Sequence, residues 1–214
     1  MSINPKSRMK IPDHHAYKIL EGYGINTAPY RFAGSLTEAE EFSEEMTYPL
    51  FLKIDSPEVI HKSDSGCVLL VNADYDLEDR FNELMKNAHK ITENINGVII
   101  QERVEGKEFI VGSKKDEQFG RVIAFGLGGI FVEAIRDISF RLIPIERFDA
   151  ESMIRETQAF NVLKARGESD ITEVVDVLMR ISGLAEKEDI EELDINPLIV
   201  NNMGACVADV RIIK

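Results

Sequence analysis

The sequence predicts an α+β protein made of two lobes, each a sheet backed by helices. Three observations predict it. Apolar positions switch repeatedly between a period of two and a period near 3.6, so strands and helices are both present. The 214 residues suffice for one large domain or two small ones, and the turn dipeptide Asn96-Gly97 divides them into 1–97 and 98–214. The densest polar runs fall on loops and strand ends.

Asp13 to Gly24 reads as a helix, with Ala16, Ile19, Leu20 and Tyr23 as its apolar stripe, Asp13 as N-cap and Gly22 or Gly24 as the stop. His14 and His15 in its first turn read as surface histidines, with a metal site as the alternative. Thr37-Glu38-Ala39-Glu40 has the capping-box form and opens a second helix through Phe42 and Met46. Pro49–Ile54 and Val68–Val71 read as strands, and Asp76–Lys90 as an amphipathic helix striped by Leu77, Phe81, Leu84, Met85 and Ala88. After Asn96-Gly97, Val98–Glu102, Lys107–Ser113, Arg121–Phe125 and Phe140–Ile145 read as strands, and Asp149–Phe160 and Asp170–Gly183 as helices. Asp170 and Glu173 are the expected caps of the last.

Glu192-Leu193-Asp194-Ile195-Asn196-Pro197-Leu198 then alternates as a strand, with Glu192, Asp194 and Asn196 on one face. Pro197 is expected to stop its ladder. A turn across Asn201–Gly204 leads into a strand Ala205–Arg211, which returns Asp209 beside Asn196. Hard oxygen donors at a strand end suit Mg²⁺ carrying phosphates. A solvated acidic strand end is the alternative.

Other residues carry possible chemistry. Lys53, late in an apolar strand, reads either as an edge or snorkelling residue or as a point charge for phosphate. Ser56–Gly66 packs His61, Lys62, Ser63 and Asp64 into one donor-rich loop, either ligand-contacting or a mobile surface loop. Gln101-Glu102 ends a strand, and Glu108 begins another, where a carboxylate takes sugar hydroxyls or pairs with a lysine. Gly126-Leu127-Gly128-Gly129 has neither dinucleotide nor P-loop spacing, yet admits a phosphate close to backbone amides.

Net charge is −13 and the pI about 4.8, which argues against nucleic acid or an anionic membrane as the main partner. Cys67 and Cys206 stand apart, as expected of a reduced, cytoplasmic chain. No apolar run approaches about 18 residues, and Met1–Lys10 is too polar for a secretory signal.

Taken in order, Lys53, the run from Ser56 to Asp64, Gln101-Glu102 with Glu108, the glycine loop with Glu133, and Asp194–Leu198 with Asp209 carry a resemblance. The chain resembles the ATP-grasp subunits of the NDP-forming acyl-CoA synthetases, which include the ADP-forming acetate–CoA ligases. The resemblance spans nearly the whole chain and implies an ATP-grasp fold with the nucleotide between two subdomains. It implies that Lys53 contacts phosphates, that Glu102 and the backbone of the segment through Val104 border the adenine, with Gln101 a further nucleotide-binding position, and that Glu108 takes the ribose hydroxyls. Gly128, Gly129 and Glu133 would form the loop over the phosphates, and Asn196 and Asp209 would ligate Mg²⁺. His61 would relay a phosphoryl group from a histidine on a CoA-binding α subunit, in an α2β2 assembly, to ADP. The sequence departs from the family where Gly66-Cys67 stands in place of Gly-Gly, which leaves the conformation of that loop open. Two other readings stay open: a non-catalytic nucleotide-sensing subunit, and a carboxylate–amine ligase of the same fold, needing neither His61 nor a partner.

Overall fold

The computed structural model describes residues 9–60, 62–129, 137–165 and 168–214, with the side chains of 168–170 left aside. The chain forms two compact units. Residues 12–18 and 27–105 make the N-terminal unit; residues 9–11, 19–26 and 106–214 make the C-terminal unit. The division falls after Glu105 rather than at Asn96-Gly97, because the strand that follows that turn pairs into the first sheet.

Helix α1 (Asp13–Gly22) opens the chain. Its buried positions are Asp13, Ala16, Tyr17 and Leu20, one helical stripe with two polar members. Gly24 follows with φ +72, the left-handed conformation that ends a helix cheaply only at glycine. The N-terminal sheet has the order β1-β4-β2-β3, with β1 (Tyr30–Ala33), β2 (Leu50–Asp55), β3 (Val68–Val71) and β4 (Gly97–Glu102), every pair antiparallel. β1 has no counterpart in the sequence reading, since Tyr-Arg-Phe-Ala is too short to show a period. α2 (Leu36–Ser43) and α3 (Leu77–His89) cover the sheet. The α2 cap is Ser35, not Thr37: its Oγ accepts from Glu38 N–H at 3.2 Å, while Glu38 Oε2 accepts from Gly34 N–H at 2.6 Å. Leu50, Leu52, Ile54, Val98 and Ile100 close the core against Phe81, Leu84 and Ala88.

The C-terminal sheet has the order β10-β8-β5-β6-β7, with β9 also on β8. Its strands are β5 (Lys107–Asp116), β6 (Gly120–Leu127), β7 (Ile138–Leu142), β8 (Glu192–Asn201), β9 (Gly204–Val207) and β10 (Val210–Ile213). α4 (Arg147–Arg155), α5 (Ala159–Lys164) and α6 (Glu168–Lys187) accompany it. The expected single helix Asp149–Phe160 is thus two, α6 is longer at both ends than expected, and Asp170 lies within it rather than capping it. Phe109, Val111, Ile123, Phe125, Leu193 and Ile195 are buried along with Val174, Leu178 and Ile181 of α6. The Phe109 and Phe125 rings stack at 5.8 Å.

Two expectations about the last strands change. Pro197 does not end β8. The register with β5 jumps from Phe109↔Leu198 to Val111↔Ile195, so Asn196 and Pro197 share one bulge where no proline N–H is needed. The expected strand Ala205–Arg211 is two strands, parted at Ala208-Asp209. Among the described residues no helix is long and apolar enough to cross a membrane.

Candidate functional site

Strand β2 turns Leu50, Leu52 and Ile54 to the core, leaving Phe51, Lys53 and Asp55 on the opposite face. Lys53 is neither at an edge nor snorkelling: β2 is interior and Lys53 is buried. Its Nζ donates to Gln101 Oε1 at 2.7 Å and lies 5.9 Å from the Phe51 ring centroid. The register sets Phe51 opposite Gln101 on β4, which places the amide diagonally from Lys53 on one face. Gln101 in turn donates through Nε2 to Tyr17 Oη at 3.3 Å. A buried chain therefore runs from α1 through β4 to the β2 lysine.

Asp55, two residues beyond Lys53, is fully buried. It accepts from the backbone N–H of Asp13 at 3.0 Å and of His14 at 3.2 Å, and from Asn96 Nδ2 at 3.4 Å. It also meets His14 Nδ1. A carboxylate from another element thus caps α1, where the helix dipole favours an anion. His14 is consequently not a surface side chain; its ring stacks on Phe32 at 4.3 Å, with the exposed His15 ring 4.1 Å away. No group of three or more His, Cys, Asp or Glu that could hold a metal occurs among the described residues.

The Ser56–Gly66 loop is tied down on both sides of position 61. Ser56 Oγ donates to Asn94 O at 2.7 Å, Thr92 Oγ1 donates to Glu58 Oε2 at 2.5 Å, and Val59 is buried. The Glu58 carboxyl is held below its ordinary pKa by the Thr92 and Asn94 hydrogen bonds. Lys62 Nζ meets Asp13 Oδ2 at 3.1 Å, both buried. Gly66 has φ +66, and the Cys67 side chain joins the N-terminal core instead of crowding the loop. His61 itself lies outside the described residues. At the end of β4, Glu102 accepts from Thr47 N–H at 2.8 Å and its own N–H donates to Pro29 O at 2.9 Å. The segment Arg103–Glu105, with Val104 half-buried, then leaves the sheet.

In the C-terminal unit Glu108 is exposed at the start of β5, and the glycine segment crosses it. Gly128 N–H donates to Glu108 O at 2.8 Å. A Cβ on Gly128 would lie 2.8 Å from the Glu108 carbonyl carbon, and one on Gly129 (φ +67) 3.2 Å from Glu108 Oε2. Glycine is required there by close backbone approach. Glu133 lies outside the described residues.

The bulge in β8 projects Asn196 into solvent, and Asn196 N–H donates to Asp209 O at 3.2 Å. The two expected metal ligands are therefore neighbours across β8 and the start of β10. Two hard oxygen side chains in an open position fit Mg²⁺, which keeps several waters and takes phosphate oxygens besides one or two protein ligands. One pleat behind, Arg211 stands opposite Asp194. Its Nη2 lies 2.5 Å from Glu192 Oε1 and 3.6 Å from Asp194 Oδ2. Burial raises the Asp194 pKa; Arg211 opposes the rise, while Glu192 and Asp209 add to it. Gly112, Ala124, Phe140, Asp194 and Arg211 line part of a cavity of about 290 Å³ on this sheet face.

The structure thus groups Lys53 with Gln101, Glu108 with Gly128 and Gly129, and Asn196 with Asp209. Sequence reading missed Tyr17 behind Gln101, Asp55 at the start of α1, and Arg211 beside Asp194. Two spacings signal the first two: Tyr17 is one helical turn after Asp13, and Asp55 alternates with Lys53 on one strand face.

Comparison with known proteins gives a consistent result. The family model for the ATP-grasp domain matches residues 3–213. The β subunit of ADP-forming acetate–CoA ligase II of Pyrococcus furiosus is 40% identical, over 97% of this chain and 93% of that one. ADP-forming acetate–CoA ligase I of Archaeoglobus fulgidus is 43% identical over 91% of this chain, which spans only 30% of that longer protein. Among solved structures, the dinucleotide-forming acetyl-coenzyme A synthetase 1 of Candidatus Korarchaeum cryptofilum, in complex with coenzyme A and Ca-AMPCP, superposes with a TM-score of 0.88 at 39% identity, covering 97% of this chain and 94% of that one. The same enzyme with Mg-AMPPCP, its phosphohistidine segment pointing towards the nucleotide binding site, gives 0.79 at 36% identity, covering 95% and 92%.

Proposed function

Because the chain belongs to the ATP-grasp family, and within it to the β subunits of ADP-forming acetate–CoA ligases, we propose that it is the nucleotide-binding subunit of an ADP-forming acyl-CoA ligase. Its reaction interconverts acyl-CoA, ADP and phosphate with carboxylic acid, CoA and ATP. Its partner is a CoA-binding α subunit, and the working assembly is α2β2. The acyl group is recognised on the partner, and a phosphohistidine there delivers the phosphoryl group. His61 receives and passes it on: the N–P bond breaks as a bond to a terminal ADP oxygen forms.

The observation that carries the reading is the pairing of Asn196 with Asp209 at adjoining strand ends. These residues would hold Mg²⁺, which neutralises phosphate charge when bound. Lys53 adds a fixed positive charge, and Glu108 accepts ribose hydroxyls beside the Gly128-Gly129 crossing. Glu102 and the backbone through Val104 border the adenine, Gln101 belongs to the nucleotide site through its hold on Lys53 Nζ, and Glu133 continues the phosphate loop. Phosphoryl transfer asks mainly for positioning and charge stabilisation, which these residue types supply.

The test is to mix the chain with its coexpressed partner, Mg²⁺ and γ-labelled ATP, and to look for acid-labile, base-stable label. Label on both chains, lost from this one in His61→Ala, is expected. Label on the partner alone reduces His61 to a binding residue. No label on either chain, despite nucleotide binding, overturns the ligase reading in favour of a nucleotide sensor.

A further inference from the structure

The hydroxyl of Tyr17 has a task that packing does not explain. The Tyr17 ring is fully buried and lies 4.7 Å from the Tyr30 ring, contacts that phenylalanine would make equally well. The hydroxyl lies 3.3 Å from Gln101 Nε2. The other end of that amide accepts from Lys53 Nζ at 2.7 Å. A carboxamide has one donor end and one acceptor end. With Tyr17 holding the donor end, the acceptor end faces the lysine. Lysine is a point charge on a flexible four-carbon stem, so a fixed acceptor decides where the ammonium sits. Gln101 is 1% exposed and Lys53 6%, so water competes little for either.

We propose that Tyr17 is a positioning residue for the phosphate-contacting ammonium of Lys53, acting through Gln101, so that α1 sets the geometry of the phosphate subsite. The inference rests on the role given to Lys53 above and adds to it. It concerns how the chain recognises the phosphates of its nucleotide, not its adenosine.

Calorimetric titration of the full chain with Mg-ADP, and with adenosine by competition, tests it. Tyr17→Phe is expected to weaken Mg-ADP about 3–10-fold, the size of one buried hydrogen bond, and to leave adenosine within about twofold. Gln101→Met, which cuts the chain at its middle, is expected to show the same phosphate-selective loss. Added to Lys53→Met, Tyr17→Phe is expected to cost nothing more, because coupled residues do not add. Equal losses for Mg-ADP and adenosine would mean a general loosening of the unit and would overturn the proposal. So would unchanged Mg-ADP affinity in Tyr17→Phe where Lys53→Met weakens binding; that result spares the site reading. Unchanged affinity in Lys53→Met removes the role of Lys53 itself, and the inference with it.

Discussion

At the scale of single residues, the sequence shows which side chains matter better than it shows whom they touch. Lys53 was visible as an anomaly in an apolar strand, but its burial depends on β2 being interior, a fact of sheet order that no local pattern encodes. His14 was legible as a histidine near a helix start, and illegible as the partner of Asp55, because that carboxylate comes from a strand about forty positions away. Glycines show the same contrast, and two of them make a paired test. A Cβ on Gly128 would meet the Glu108 and Phe109 backbone at 2.8–2.9 Å, atoms that yield only if the strand shifts. A Cβ on Gly183, in α6, meets nothing within 4 Å. Gly128→Ala is therefore expected to lose about 1–3 kcal/mol, as overpacking does, and to weaken Mg-ADP, since Gly129 and Glu108 adjoin it. Gly183→Ala is expected to gain about 0.5–1 kcal/mol from helix propensity. Urea denaturation of both variants checks the pair; equal effects would mean that the strand at the Gly128 crossing yields to a Cβ without cost.

Elements with a long, regular stripe were readable: α3 and the strands β2, β3, β5 and β6 lie where their periodicity puts them, within a few residues. The misses have physical causes. β1 is four residues long, β8 continues through proline by means of a bulge, and α4 and α5 part at Glu156–Gln158 where helical spacing continues on either side. Glu156 shows what fixes that break. Its carboxylate accepts from Arg141 Nη2 at 2.5 Å and Nη1 at 3.1 Å, and from Ser139 Oγ at 2.7 Å, joining the end of α4 to β7. The Arg141 hydrogen bonds, then Ser139, hold its pKa below the ordinary carboxylate value. A carboxylate with a lowered folded pKa stabilises the fold above its unfolded value, about 4.3. That contribution is lost as pH falls through the folded value. Glu156→Gln is thus expected to lower stability at pH 7 by no more than about 1 kcal/mol, because the pair is half exposed and screened. The gap from wild type should narrow below about pH 4. Thermal melts of both proteins from pH 7 to pH 3 measure it, and a gap that stays constant would remove the ion pair as its cause.

Over the whole molecule, composition and charge argue against some partners and name none; the ordered set of motifs, spread from residue 53 to residue 209, carried the family. The fold itself contributes two compact units and a set of polar residues whose proposed ligand is an anion, on a chain of net charge −13. A nucleotide diphosphate adds more negative charge, so the reading requires that Lys53 and a divalent cation supply most of the local compensation. Ligand linkage makes this measurable on the full chain. At a hundred times its Kd, Mg-ADP contributes about 2.7 kcal/mol to stability, which for a chain of this size is a rise in Tm of roughly 5–10 °C. ADP with EDTA, at the same concentration, is expected to give a much smaller rise. Asp209→Asn removes one anionic ligand, so the Mg²⁺-dependent part of the shift, taken from the variant's own unliganded Tm, is expected to disappear. If Asp209→Asn keeps the full increment, the cation is held elsewhere, and the Asn196–Asp209 pair is only a way of closing the last two strands.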